Sequence, residues 1–326
     1  MSRDPRGTPV RLAIVTPVFN EEGNLERYAE VVSRVLLDEP GVDARVLFVD
    51  DGSSDGSWKV IQEICARDER FRGIRLSRNF GAHTALSAGF HALGDDVDAA
   101  VVLACDLQDP PETVLAFLER WRDGADIVWG VRRRRKDAIW RSATSRMFQS
   151  ALRRWAFPKD SQFSTGTFLL LDRPVLDAVR AMPERNRITF ALVAWTGFDQ
   201  AQVEYDRGER MAGRSGWTFA GMLRAMYDAF LGFSTVPIRL MTFAAALSFV
   251  AAGALIVYLL IVLIVGDPVP GWTSQMLVMS VFFAIQFSLM GVLGEYMYRI
   301  YSEATRRPLF FVSDTTDQPP ASGSSI

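Results

Sequence analysis

Apolar and polar positions divide the chain into two regimes. Through the first part, short apolar runs at 11–16, 45–49, 73–76, 99–103 and 126–129 alternate with longer amphipathic stretches at 24–37, 57–68, 82–93 and 111–121. Strand-length apolar runs separated by helix-length amphipathic ones predict a parallel sheet covered by helices on both faces. Near the end the pattern changes to two long uncharged runs, 241–265 and 276–293. The first is long enough for about 37 Å of helix and therefore crosses a hydrocarbon core about 30 Å thick; the second is shorter but also spans. A buried hairpin is the plainer alternative, but two adjacent uncharged runs are hard to bury in a core of this size.

Charge sets the orientation of these runs. Arg224 and Arg239 precede the first and Arg299, Arg306 and Arg307 follow the second, whereas residues 266–275 hold no Lys or Arg. Arginine asymmetry of this kind places both termini in the cytoplasm, with Trp272 and Tyr258 suited to the interfaces. Residues 1–9 are polar, so they read as a flexible N-terminus without a signal peptide, and membrane entry is expected from the C-terminal runs. The formal net charge of −2 averages an acidic N-terminal portion with basic stretches at 132–136 and 141–154. Such stretches beside a membrane attract anionic head groups or a phosphorylated lipid. Cys65 and Cys105 form no disulfide framework and read as reduced thiols. From Ser313 onward the Ser/Pro/Gly-rich tail reads as disordered.

Candidate chemistry gathers where the strands end. Polar clusters follow the first, second and fourth strands at 17–22, 50–54 and 106–109. Each alone is compatible with turns and helix caps, but their recurrence at corresponding strand ends marks the edge where open α/β sheets bind ligands. The chain has no Walker sequence and no Gly-x-Gly-x-x-Gly after a strand, which excludes phosphate cradling by a glycine-rich loop. Carboxylates in these positions instead suit Mg²⁺ or Mn²⁺ bridging a nucleotide diphosphate, with the diphosphate as leaving group. His83 and His91, eight residues apart on an amphipathic stretch, read as packing or surface residues.

Four ordered motifs carry a family resemblance. They are Thr16-Pro17-Val18-Phe19-Asn20-Glu21-Glu22, Val49-Asp50-Asp51-Gly52-Ser53-Ser54-Asp55-Gly56, Asp106-Leu107-Gln108-Asp109-Pro110-Pro111-Glu112 and Gly130-Val131-Arg132. In this order they resemble the family 2 inverting glycosyltransferases of GT-A fold, and among them the polyprenyl-phosphate glycosyltransferases. The resemblance implies an α/β fold: a GT-A, Rossmann-like, mostly parallel sheet domain with amphipathic interfacial helices and a C-terminal two-helix transmembrane hairpin. It divides the chain into a cytosolic catalytic domain at 10–216, a juxtamembrane amphipathic helix at 217–236, two membrane helices within 237–300 at about 240–265 and 275–294, and a cytosolic tail at 301–326. It also implies a multi-pass protein of the inner membrane.

The same resemblance implies site residues. Pro17, Phe19, Glu21, Asp50, Asp51, Gly52 and Ser53 would hold the nucleotide; Asp106 and Gln108 would hold Mg²⁺ or Mn²⁺ on the diphosphate. Arg132, Arg141 and Ser145 would take the acceptor phosphate, and Arg210, in a loop that closes over the diphosphate, would join Asp106 and Arg132 as catalytic. Arg141 and Ser145 share one helix face by their spacing. The implied partners are a nucleotide sugar, expected to be UDP-linked, a polyprenyl phosphate and the membrane, with no nucleic acid; a homo-oligomer and a flippase partner are left open. The chain departs from the family pattern at Ala104, Ser164, Thr167 and Gly216, where Asp, Asp, Asp and Lys are usual. A processive polysaccharide synthase is the rival enzyme, but Gln149 and Arg154-Trp155 are too far apart for its signature segment. A non-catalytic membrane scaffold is the rival from another class, opposed by Asp106, Gln108, Arg132 and Arg210.

Overall fold

The computed structural model describes residues 9–133, 167–185, 187–208, 271–316 and scattered positions within 241–264. The chain divides into two compact units: Met1–Met222 with Pro308–Ile326, and Leu223–Arg307.

The first unit is built on an alternation of strands and helices: β1 (Val10–Val18), α1 (Glu22–Val32), β2 (Val42–Asp50), α2 (Ser57–Arg67), β3 (Phe71–Leu76), α3 (Ala82–Ala92), β4 (Ala99–Val102), α4 (Thr113–Arg122) and β5 (Ile127–Arg132). These match the nine elements expected from the apolar pattern; α1 runs on through a π-helical turn, Ser33–Leu37. Strands β1 and β4 are buried on both faces, as strands of a helix-covered parallel sheet must be. Beyond β5 come β6 (Leu169–Asp172), α5 (Arg173–Ala181), α6 (Thr189–Trp195), β7 (Gln200–Tyr205) and, near the end of the chain, β8 (Val312–Thr315).

One eight-stranded sheet results, in the order β7-β5-β6-β4-β1-β2-β3-β8. Strands β4, β1, β2 and β3 are mutually parallel, and β5 pairs parallel with β7. The exceptions are β6, antiparallel to β4 and β5, and β8, antiparallel to β3. Because β6 reverses direction between β4 and β5, strands β1 to β5 and β7 all end at the same edge. That edge collects the loops of the candidate site.

β8 corrects the expected tail. Residues 313–315 are not the start of a disordered segment but part of a strand, closing the edge left by β3. The Trp58 indole N–H donates to Asp314 Oδ2 at 3.0 Å, and Gly73 N donates to Thr316 Oγ1 at 2.8 Å, so side chains as well as the ladder fix it. Composition suggested disorder, but an unpaired edge with a buried indole supplies the partners that a polar tail lacks by itself.

In the second unit, α7 (Trp272–Ala304) is a continuous helix of 33 residues, about 50 Å long. It extends past the expected end near residue 294, carrying an ion pair between Glu295 and Arg299 one turn apart. Among the described residues it alone is long and apolar enough to cross a membrane, over Val281–Ala304 with mean hydropathy 1.3. None of that segment is buried in the protein: Phe283, Phe287, Met290, Leu293 and Met297 are exposed. The described positions within 241–264 are helical. The basic stretch at 141–154 and the amphipathic helix expected at 217–236 lie outside the described residues.

Candidate functional site

At the strand-end edge the first three loops are tied to one another. After β1 the chain turns through Asn20, whose φ of 55° lies in the left-handed region that Asn tolerates. Asn20 N donates to Ser53 Oγ at 2.9 Å, and Ser54 N donates back to Asn20 Oδ1 at 2.9 Å. Glu21 N donates to Ser57 Oγ at 2.9 Å, and Gly56 N to Glu22 Oε2 at 3.0 Å. The loop after β2 is in turn fixed to the loop after β3. Gly52, at φ 68°, presses so closely on it that a Cβ would stand 2.5 Å from the Arg78 carbonyl carbon, which forbids any other residue there.

Asp50 and Asp51 face into this framework. Asp50 is fully buried; its Oδ1 accepts from Ser53 N at 3.1 Å, and its Oδ2 lies 3.1 Å from Arg75 Nε. Asp51 accepts Phe80 N on Oδ1 at 2.7 Å and Gly81 N on Oδ2 at 2.8 Å, one bond per oxygen. Burial pushes the Asp51 carboxyl above its usual range, as does the neighbouring Asp50, while the two amide bonds pull it down. Both are among the residues expected to hold the nucleotide, and in the structure each also ties neighbouring loops together. Pro17, Glu21 and Gly52 are partly exposed and Phe19 is 44% exposed, while Ser53 is buried.

After β4 the loop is strained at Leu107, whose φ of 51° costs a residue with a Cβ about 1–2 kcal/mol. Gln108 N donates to Asp106 Oδ1 at 3.2 Å, and Gly208 N clamps the Gln108 carbonyl at 2.8 Å. The result keeps Asp106 and Gln108 partly exposed at the edge while Cys105 and Asp109 on either side are buried. Arg132 ends β5 and is exposed, and its strand neighbour Tyr205 ends β7. Gly130 allows this close packing: a Cβ there would lie 2.8 Å from Phe168 and 3.0 Å from Tyr205.

Thus Pro17, Phe19, Glu21, Gly52, Asp106, Gln108 and Arg132 share one edge. Arg141, Ser145, Ser164, Arg210 and Gly216 lie outside the described residues. The sequence motifs passed over Tyr205, Arg207 and the part played by Asp109; only the pairing of β5 with β7 brings them together.

Among the described residues no three His, Cys, Asp or Glu side chains cluster to enclose a metal. Mg²⁺ does not require such a cage: it is commonly held by one or two carboxylates, with substrate phosphates and water filling the other positions. Asp106, a partly exposed carboxylate in the loop after β4, has the hard oxygen atoms that mode uses.

An edge built this way is the ligand-binding end of an open α/β sheet. Residues 13–180 match the family model described as Glycosyl transferase family 2, and the chain belongs to that family. It is a glycosyltransferase. An uncharacterised glycosyltransferase of Bacillus subtilis strain 168, YkcC, is 36% identical over 93% of both chains. A bactoprenol glucosyl transferase of Shigella phage SfV is 32% identical over 94% of this chain and 99% of its own. A solved structure of glucosyl-3-phosphoglycerate synthase from Mycobacterium tuberculosis, 19% identical, overlaps 69% of this chain and 79% of its own at a TM-score of 0.48.

Proposed function

We propose that the protein transfers a sugar from a UDP-linked donor to a polyprenyl phosphate, with inversion, at the cytosolic face of the membrane. What carries this reading is the match to the bactoprenol glucosyl transferase along nearly the whole of both chains, the apolar helix included. A phosphate oxygen of the lipid attacks the anomeric carbon, the bond from that carbon to the diphosphate breaks, and UDP leaves with the electron pair. A phosphomonoester is largely ionised near neutrality, so no strong general base is needed and Thr167 in place of a carboxylate is tolerable. Pro17, Phe19, Glu21 and Asp51 would receive the nucleotide, with Asp50, Gly52 and Ser53 beside them. Asp106, with Gln108 beside it, would hold Mg²⁺ or Mn²⁺, which when bound neutralises charge on the diphosphate. Arg132, with Arg141 and Ser145, would orient the acceptor phosphate, and Arg210 would stabilise the leaving group.

The return of β8 to the sheet supports a two-helix hairpin. Residues before 133 and after 311 lie in the same sheet, so an even number of membrane crossings lies between them, and α7 accounts for one. The run at 241–265 supplies the second, keeping the sheet domain cytosolic.

Purified full-length protein in detergent, supplied with Mg²⁺, undecaprenyl phosphate and a panel of UDP sugars, should release UDP in step with formation of a lipid-phosphate sugar. Asp106→Asn should lower that rate about a hundredfold or more while the melting temperature stays unchanged. No turnover of any UDP sugar by the wild type, or near wild-type rates in the variant, would overturn the reading.

A further inference from the structure

Beside Asp106 and Gln108, the motif residues Asp109 and Arg132 form a cluster with Tyr205 and Arg207, which no motif contains. Asp109, buried at the end of the same loop, accepts a short hydrogen bond on Oδ1 from the Tyr205 hydroxyl. The Tyr205 oxygen accepts in turn from Arg132 Nε at 3.2 Å. Arg132 Nη2 and Arg207 Nε each lie 4.0 Å from Asp109 Oδ1. The parallel register that sets Arg132 opposite Tyr205 fixes this arrangement, as does the Gly208 N bond to Gln108 O next to Arg207.

The charges do not cancel. Two guanidinium groups face one carboxylate, at distances beyond hydrogen-bond reach, so both keep donors for another partner. The side chains of Arg132 and Arg207 are 46% and 40% exposed, whereas that of Asp109 is 9% exposed. An approaching anion therefore meets the forks and not the carboxylate behind them. Paired forks of this kind match the tetrahedral oxygens of a phosphate.

We infer that Arg207 binds phosphate together with Arg132, as a two-guanidinium clamp whose geometry is set by Asp109 and Tyr205 as positioning residues. The ligand chemistry is a phosphate oxygen, supplied by either the lipid phosphomonoester or the donor diphosphate. The inference rests on the transfer reading above, and binding measurements separate the two.

The experiment uses full-length protein in detergent. Wild type, Arg207→Ala, Arg207→Lys and Tyr205→Phe are titrated with UDP and with undecaprenyl phosphate, and KM for the lipid, kcat and melting temperature are recorded. Arg207→Ala should weaken one ligand about ten- to a hundredfold, the usual effect of losing a charge-assisted bond. A rise in lipid KM and Kd with UDP unchanged assigns the clamp to the acceptor; a rise in UDP Kd assigns it to the donor. Tyr205→Phe keeps the ring against Phe168 and should move the same constant by a smaller factor. Arg207→Lys should restore it only in part, because an ammonium cannot fork. Unchanged affinities for both ligands in Arg207→Ala overturn the clamp, and a lower melting temperature with unchanged constants in Tyr205→Phe overturns the positioning role. If the wild type binds both ligands without turning over, the transfer reading fails while the titrations still decide the clamp.

Discussion

At Asp51, two backbone amides from the loop after β3 fix the position of a carboxylate in a recognisable motif. The pattern of residues 49–56 is legible in the sequence, but its division of labour is not, because Phe80 N and Gly81 N reach Asp51 only after β3 has been laid beside β2. Gly52 was legible as part of a turn; its true constraint, the backbone of Arg78, belongs to another loop. His83 was expected to be a packing or surface residue, and the structure gives it a defined partner: its Nδ1 accepts from Thr189 N at 3.3 Å, and the ring meets Phe190 edge-on. Burial lowers its pKa from 6.5 to about 4, so the native ring stays neutral where an unfolded one is already protonated. The unfolded chain therefore binds the extra proton, and this histidine's share of stability is present above pH 6.5 and lost as pH falls towards 4. The loss is on the order of 3 kcal/mol over that window. His83→Gln should flatten this part of the profile in denaturant unfolding at stepped pH; parallel profiles for variant and wild type would refute it.

Among the elements of the sheet unit, the alternation from β1 to β5 was expected from the apolar pattern, whereas those after β5 were not, α5 included although its buried Val175, Leu176 and Val179 recur at helical spacing. Strands β1 to β5 are apolar runs flanked by amphipathic helices, so their pattern survives without tertiary context. By contrast, β6 is four residues long and β7 alternates only partly. β8 was hidden for another reason: Val312–Thr315 is polar and becomes a strand because β3 offers an open edge. Its contribution is measurable. Asp314→Ala removes the acceptor of the Trp58 indole and should destabilise the sheet domain by about 1–2 kcal/mol. Deleting residues 308–326 should lower the melting temperature further, since Gly73 N also loses Thr316 Oγ1. Calorimetry of the three proteins in detergent checks this; identical melting of the deletion and the wild type would mean that β8 adds nothing.

For the whole molecule, the sheet unit and the unit that contains α7 treat their apolar side chains differently. The first hides its apolar residues, whereas Phe283, Phe287 and Leu293 on α7 are exposed along a helix with none of its spanning segment buried. If the hairpin reading holds, residues 266–275 face the far side of the membrane. A cysteine introduced at Thr273 should then react with a membrane-impermeant thiol reagent in intact cells, while Cys65 and Cys105 in the sheet unit stay unlabelled. Labelling only after permeabilisation would contradict that topology. The sheet unit is also discontinuous in sequence, with Leu223–Arg307 lying between its main part and its last strand. During synthesis this imposes a sequence of events. β3 leaves the ribosome long before β8 exists, and its edge, with the Trp58 indole beside it, stays open while the helical segment is being made. The domain thus completes its fold only after Leu223–Arg307 has been translated. A chain stalled or mis-threaded at that step carries an unfinished sheet edge, the kind of surface by which chaperones and proteases tell an incomplete product from a finished one.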